Sequence, residues 1–320
     1  MENLVEIKNL KKYFSTPRGE LHAVDNVTLN IEKGKTIGIV GESGCGKSTL
    51  GKTLMRLYNP TSGEILYNGE DIANMPTKKF KKNYRSSIQM IFQDPYASLD
   101  PRMSVLQLIE EPIKVNKKGL SKAEATVKAK EMMDLVGLAA RLEGSYPHEL
   151  DGGRRQRIGI ARALSLDPDF IVCDEPVSAL DVSIQAQILN LLQDLQKERN
   201  LTYMFITHDM SVVKHISDDI AVMYLGRLIE KCPANEIFKN TIHPYSQALL
   251  SAIPIPNVHV KKERMILKGE LTSPIDPKPC CRFAARCPYT MNECMEKEPE
   301  LRELKPNHFV ACHCAEQFVK

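Results

Sequence analysis

The sequence predicts an α/β protein with a parallel-sheet core, an N-terminal antiparallel β portion, a helical subdomain and a small cysteine-rich C-terminal module. Short, nearly all-apolar runs alternate with amphipathic stretches, which is the pattern of βαβ units. The 320 residues exceed the roughly 250 to 300 at which one core usually stops growing. Hydrophobic residues make up 42% and charged residues 26%, a composition typical of globular rather than disordered chains.

The elements follow in chain order. Residues 3–32 predict short strands, residues 36–40 (TIGIV) predict a buried strand, and a helix is expected from near Lys47. Further predictions are helices over 105–114 and 122–136, strands over 170–173 and 202–206, and a helix over 182–199 between those strands. Clustered prolines after residue 252 indicate a linker. We therefore expect one large domain over 1–254, with a helical subdomain at about 94–164, and an extension over 255–320.

Charge and hydropathy restrict the cellular setting. The net charge of +3 gives no strong attraction to nucleic acid or to an anionic membrane. The N-terminal residues mix charged and apolar side chains, unlike a signal peptide, and no uncharged apolar run approaches the roughly 20 residues of a membrane helix. We expect no export, and membrane association only through another polypeptide. The nine cysteines are then expected to be thiols or metal ligands.

Residues 41–48, GESGCGKS, match the phosphate-loop pattern G-x-x-x-x-G-K-[ST] between a predicted strand and a predicted helix. Backbone N–H groups of such a loop surround the phosphates of ATP, Lys47 reaches the β- and γ-phosphates, and Ser48 binds Mg²⁺. The candidate ATP-binding residues are Ser43, Gly44, Cys45, Gly46, Lys47, Ser48 and Thr49. Because Cys45 precedes a helix and a lysine, we also expect a lowered pKa and a reactive thiol there.

Two carboxylates follow the predicted strand at 170–173. Asp174 at the end of a buried strand is a candidate for holding Mg²⁺, and Glu175 is a candidate for orienting the attacking water and accepting its proton. Together with the phosphate loop, the pair predicts ATP hydrolysis.

Further motifs, in order, resemble those of the ATP-binding subunits of ABC transporters over nearly the whole chain. Gln93 of IFQDP matches the Q-loop, residues 150–157 (LDGGRRQR) match the signature, residues 178–181 (SALD) match the D-loop, and His208 of ITHD matches the switch histidine. The resemblance implies catalytic roles for Gln93, Glu175 and His208, and Mg²⁺ bound by Ser48, Gln93 and Asp174. It also implies adenine stacking on an N-terminal aromatic ring, here Phe14, with Tyr13 as an alternative.

In this family the signature of one subunit completes the ATP site of the other, so a head-to-tail dimer is implied. Asp151, Gly152, Gly153 and Arg154 would face the partner's ATP. The chain departs from the usual signature, because Asp151 stands where a serine is expected and Arg154 where a glutamine is common. A carboxylate near a γ-phosphate is repulsive, which predicts a second, non-identical ATPase subunit, although Arg154 could offset the charge.

The C-terminal cysteines form a candidate metal site. Cys281, Cys287, Cys294 and Cys312 are spaced by six, seven and eighteen residues, and four thiolates suit zinc or an iron–sulfur cluster. The C-x-x-C knuckles usual for zinc are absent. The segments HPYSQALL and CRFAARCP resemble the extension of oligopeptide and dipeptide permease ATPases, where a [4Fe-4S] cluster is implied, with Zn²⁺ as the alternative. Cys280 and Cys314 could replace a ligand, and buried thiols without metal remain a further interpretation.

The resemblance implies the ATPase of an importer of di- or oligopeptides. Its expected partners are two permease subunits, a second ABC ATPase and an extracytoplasmic peptide-binding protein, and its expected location is peripheral, on the cytoplasmic face of the cell membrane. An importer of nickel or another small solute is the nearest alternative. A soluble ABC ATPase acting on nucleic acid or the ribosome is disfavoured, because a second cassette and a long coiled-coil insertion are missing.

Overall fold

The computed structural model describes residues 2–116, 119–253, 265–267, 269 and 272–319. The chain divides into two compact units, the first formed by residues 1–74 and 205–320 and the second by residues 75–204. The predicted boundary between residues 254 and 255 lies outside the described residues.

The first unit begins with an antiparallel hairpin. Alternating apolar residues form β1 (Asn3–Thr16) and β2 (Gly19–Glu32), and their inward side chains, such as Ile7 and Val27, are fully buried. The strands predicted as short over 3–32 are instead long, 14 residues each. β4 (Ser62–Tyr67) and β5 (Glu70–Asp71) complete a sheet in the order β2-β1-β4-β5.

A second sheet of the first unit carries the phosphate-loop segment. Its strands include β3 (Thr36–Val40), β9 (Asp219–Tyr224), β10 (Arg227–Pro233), β11 (Arg302–Lys305) and β12 (His308–Val310). β3 pairs in parallel with β9, and antiparallel pairs then join β9, β10, β12 and β11 in that order. The C-terminal strands therefore extend the same sheet that contains β3.

Helices of the first unit follow these strands. They are α1 (Lys47–Leu54), α7 (Met210–Ile216), α8 (Ala234–Ile237), α9 (Pro244–Ser251) and α10 (Asn292–Glu296). The strand over 36–40 and the helix start at Lys47 are thus confirmed.

The second unit combines a helical part with parallel strands. Its elements are α2 (Thr77–Asn83), β6 (Ile88–Ile91), α3 (Val105–Asn116), α4 (Lys122–Leu135), α5 (Gly152–Leu164), β7 (Phe170–Asp174) and α6 (Val182–Arg199). β6 and β7 are parallel. The chain passes from the second unit into the first within β8 (Thr202–Thr207). The predicted helix over 182–199 coincides with α6.

Candidate active site

The phosphate loop connects β3 to α1, and two of its glycines are required by geometry. Gly41 and Gly46 have φ angles of +154° and +104°, in a range that side-chain-bearing residues rarely adopt. A Cβ on Gly41 would lie 2.2 Å from the Met223 carbonyl oxygen, and one on Gly46 would lie 2.0 Å from that of Ala23. The loop therefore packs directly against neighbouring backbone, and no side chain fits at either position.

Lys47 places a buried cation inside this loop. Its side chain is largely buried, and Nζ donates hydrogen bonds to the carbonyl oxygens of Gly41 at 2.8 Å and Glu42 at 3.0 Å. Ser48 and Thr49 lie in the first turn of α1 and are half-buried, whereas Ser43 and Gly44 are exposed on the loop. The positive charge, the helix N-terminus and the exposed loop residues together suit a phosphate group.

The expectation of a lowered pKa at Cys45 is wrong. The Cys45 side chain is 1% exposed, and burial raises the pKa of its thiol although the charge of nearby Lys47 opposes this shift. Desolvation of the thiolate outweighs the helix N-terminus, so Cys45 is a buried packing residue of the loop.

The second unit holds the carboxylate pair and the Q-loop glutamine. Asp174 is the last residue of β7 and is 2% exposed, and Glu175 follows it with a φ angle of +46°. Gln93, which follows β6, donates a hydrogen bond from Nε2 to Oε2 of Glu175 at 3.0 Å. The left-handed backbone at Glu175 is unusual for a non-glycine residue, and such conformations concentrate at functional sites.

The signature segment begins α5. Asp151 is the N-cap residue, with Oδ1 accepting the Arg154 backbone N–H at 2.8 Å. The Arg154 guanidinium lies 3.4 Å from Asp151 Oδ2, so the unusual carboxylate has a cation beside it. Gly153 is buried, and a Cβ there would lie 2.7 Å from Ile184 of α6. Asp181 of the D-loop caps α6 by accepting the Ile184 N–H at 3.0 Å.

His208 directly follows β8 in the first unit, and its side chain is exposed. The next residue, Asp209, caps α7 and donates its backbone N–H to Thr207 Oγ1 at 3.1 Å. This turn fixes the backbone on both sides of His208.

The two aromatic candidates for adenine stacking differ in their contacts. The Tyr13 ring stacks on His22 with centroids 3.8 Å apart, and its hydroxyl donates to Asp25 at 2.5 Å. Phe14 is half-buried, has Lys12 over its ring and meets Tyr58 edge-on at 5.4 Å. Both rings therefore already contact neighbouring side chains.

The cysteine-rich segment is part of the first unit. All nine cysteines are free thiols. Burial raises the pKa of Cys281 to about 12, and the neighbouring Cys294 and Cys287 add to the shift. Burial also raises the pKa of Cys312 to about 12, with smaller contributions from Cys314, Cys281 and Cys287. Cys281 therefore lies near Cys287, Cys294 and Cys312.

The structure does not group the four predicted cysteines as a metal site. In the part of the chain that the structure describes, no group of three or more His, Cys, Asp or Glu side chains is placed to hold a metal ion. Cys312 and Cys314 share a small apolar cluster with Ile242, Val310 and Ala315.

The sequence analysis did not single out Glu42, Tyr245 and Arg286, which are joined by contacts at the phosphate loop. The Glu42 carboxylate pairs with Arg286 at 2.7 Å, and the Glu42 backbone N–H donates to the Tyr245 hydroxyl at 2.9 Å. Tyr245 and Arg286 lie within the segments HPYSQALL and CRFAARCP, whose resemblance to a family extension was the available signal. Their contact with the phosphate loop was not predictable from spacing.

The phosphate loop, the carboxylate pair and the signature helix define the ATP-binding cassette class. The ABC transporter family model matches residues 24–178, and the model for the oligopeptide/dipeptide transporter C-terminal region matches residues 229–294. The chain belongs to the ATP-binding subunits of oligopeptide-type ABC transporters, and it is an ATPase.

Two relatives match the sequence of this chain over almost its whole length. The oligopeptide transport ATP-binding protein AppF of Bacillus subtilis is 51% identical, covering 98% of this chain and 97% of its own, and OppF of the same organism is 49% identical over 98% of both. Among solved structures, the MJ0796 cassette bound to ADP and Pi, a dimer, is 31% identical with a TM-score of 0.66, covering 72% of this chain and 98% of its own. Clostridium perfringens cbiO1, part of the ABC transporter complex cbiONQ, is 29% identical with a TM-score of 0.66, covering 76% and 93%.

Among the described helices, none is both long and apolar enough to cross a membrane.

Proposed function

We propose that this chain hydrolyses ATP to energise the uptake of di- or oligopeptides through a membrane permease. The observation that carries the substrate class is the match of residues 229–294 to the oligopeptide/dipeptide transporter C-terminal region, in a chain that also carries a complete phosphate loop. The names of the relatives support peptides over nickel or another small solute. Nucleic acid is not a partner in this proposal.

The roles of individual residues follow from the chemistry of each part. The phosphate loop from Ser43 to Thr49 binds the phosphates, and Lys47 contributes the buried cation. Glu175 accepts the proton of the attacking water, and its contact with Gln93 supports a shared role. Ser48, Gln93 and Asp174 bind Mg²⁺, His208 contacts the γ-phosphate, and Phe14 stacks on adenine.

The partners follow from the family and from the signature. Two permease subunits, a second ABC ATPase and an extracytoplasmic peptide-binding protein complete the transporter, with this chain peripheral on the cytoplasmic face of the membrane. The segment from Asp94 to Pro101 docks against the permease in this proposal, which the exposed Tyr96 within it supports. The residues from Asp151 to Arg154 face the ATP of the second ATPase. That subunit is a different chain, because the unusual carboxylate makes two identical sites unfavourable.

The cysteine module holds a [4Fe-4S] cluster in this proposal. Its support is the donor set of four buried or half-buried thiols, in which Cys281 lies near the other three. Cys281, Cys287, Cys294 and Cys312 would hold the cluster, which would cross-link the module. A single Zn²⁺ on the same four thiols is the alternative.

Peptide uptake in cells tests the function. Cells lacking the chain are complemented with the wild type or with Lys47→Ala, and uptake of radiolabelled di-, tri- and pentapeptides is compared with uptake of ⁶³Ni²⁺. We expect only the wild type to restore peptide uptake, with nickel uptake unchanged. Restoration of nickel uptake alone would reject the peptide assignment.

Affinity purification from native membranes identifies the partners. Recovery of two identical ATPase chains would reject the proposal that the two ATPase subunits differ.

A further inference from the structure

Glu42 places a carboxylate in the loop that must accept a triphosphate. It is the second residue of GESGCGKS, and its side chain is 29% exposed. Both of its oxygens accept hydrogen bonds from one guanidinium: Arg286 Nη1 lies 2.7 Å from Oε2 and Nη2 lies 3.1 Å from Oε1. A bidentate pair of this kind fixes both charge and orientation.

Arg286 belongs to the cysteine-rich segment, 244 positions after Glu42. It ends the 3₁₀ turn Ala284–Arg286 and immediately precedes Cys287. Its side chain is only 11% exposed, and the guanidinium lies 5.9 Å from the centroid of the Tyr224 ring. Limited exposure reduces screening by solvent, so this pair is stronger than a typical surface ion pair.

Other contacts from the same side hold the loop backbone. The Tyr245 hydroxyl accepts the Glu42 N–H at 2.9 Å. Arg282, which follows Cys281, donates to the carbonyl oxygen of Leu225, and the adjacent Gly226 N–H donates to the carbonyl oxygen of Cys45 at 2.9 Å. The cysteine-rich segment thus contacts the loop directly, through Arg286 and Glu42. It also contacts the loop indirectly, because Arg282 binds the turn at Leu225 and Gly226, which in turn binds Cys45.

We propose that Arg286 is a positioning residue for ATP binding, acting through Glu42. Its guanidinium neutralises the Glu42 carboxylate and holds it away from the phosphate-binding face of the loop. Without that cation, the carboxylate opposes the negative charge of the incoming triphosphate. The C-terminal segment therefore sets the nucleotide affinity of the loop, a role independent of any metal and one that rests on ATP binding at the loop.

The test measures the Kd for ATP on the purified full chain by equilibrium dialysis with radiolabelled nucleotide. Arg286→Ala should weaken binding about tenfold, the order of magnitude expected when an unneutralised carboxylate lies near the bound phosphates at an effective dielectric near 20. The matched control is Arg302→Ala, in the same segment, where an exposed arginine pairs with Glu316 at 2.7 Å. That variant should bind ATP within about twofold of the wild type.

A double-mutant cycle separates action through Glu42 from general loss of structure. Glu42→Gln keeps the size of the side chain and removes its charge, so adding it to Arg286→Ala should restore most of the lost affinity. If Arg286→Ala weakens binding equally in the wild-type chain and in the Glu42→Gln variant, the proposal is overturned. Unchanged affinity in Arg286→Ala alone would overturn it as well.

A conservative variant covers the case in which Arg286→Ala does not fold. Arg286→Lys keeps the charge but loses the bidentate geometry, so it should weaken ATP binding partially, and Glu42→Gln should reverse that loss. Affinity lost in Arg286→Lys and not recovered with Glu42→Gln would overturn the proposal. A wild-type chain that binds no ATP would instead reject the nucleotide function on which the proposal rests.

Discussion

Gln93 Nε2 donates a hydrogen bond to Glu175 Oε2 at 3.0 Å, joining residues 82 positions apart in the sequence. The hydrogen bond restrains the carboxylate of Glu175. The left-handed backbone of the same residue, with φ of +46°, sets the direction in which its side chain leaves the chain. An amide and a carboxylate arranged in this way are suited to orienting a water molecule for attack on a phosphate.

The first prediction concerns Glu175. Glu175→Gln should lower the rate of ATP hydrolysis at least about 100-fold, because the amide keeps the size of the side chain but cannot accept the proton of the water. The Kd for ATP should be nearly unchanged. Phosphate release by the assembled transporter and nucleotide binding are the two measurements. Turnover close to that of the wild type would remove Glu175 from the mechanism.

The second prediction concerns Lys47. Lys47→Ala should weaken ATP binding about tenfold or more, since the triphosphate loses a buried cation held 2.8 Å from the Gly41 carbonyl oxygen. Lys52→Ala, on the last turn of the same helix, is the control and should bind as the wild type does. Equal affinities for the two variants would contradict the assignment of Lys47.

The third prediction concerns the reactivity of Cys45. Because burial raises the pKa of this thiol, iodoacetamide at neutral pH should label the half-buried Cys280 well before Cys45. Mass spectrometry of the labelled peptides gives the order of modification. Rapid labelling of Cys45 that bound ATP prevents would instead support a reactive loop thiol.

The fourth prediction concerns the cysteine module. Protein purified without air should be brown, with broad visible absorption that Cys287→Ser or Cys312→Ser abolishes, because each change removes one proposed thiolate ligand. Cys232→Ser is the control, since Cys232 is buried in β10 outside the four-cysteine set, and it should keep the colour. Colourless wild-type protein with one zinc per chain would show that the module holds Zn²⁺ and not the cluster.

The fifth prediction concerns the signature. Asp151→Ser keeps a good N-cap for α5 and removes the carboxylate, so it should promote ATP-dependent dimerisation of the isolated chain. Arg154→Ala should have the opposite effect, because Asp151 loses the cation 3.4 Å away. Analytical ultracentrifugation with ATP measures both. Tight ATP-dependent dimers of the unmodified chain would show that Arg154 already neutralises Asp151 and would remove the argument for a different partner.

Local chemistry made much of the molecule predictable from the sequence. The phosphate loop could be placed because its glycines and Lys47 act within eight consecutive residues, and α6 could be bounded at 182–199 because its apolar spacing is a local signal. The resemblance of the ordered motifs then identified the family, which the comparisons confirm.

The tertiary structure decided what depends on packing between distant segments. Sequence proximity to Lys47 predicted a reactive Cys45, but burial by residues from elsewhere in the chain raised the pKa of its thiol instead. The pairing of Glu42 with Arg286 spans 244 positions and was likewise beyond spacing arguments. Desolvation and long-range ion pairing are set by which surfaces the fold brings together, and a motif records only the residues that are neighbours along the chain.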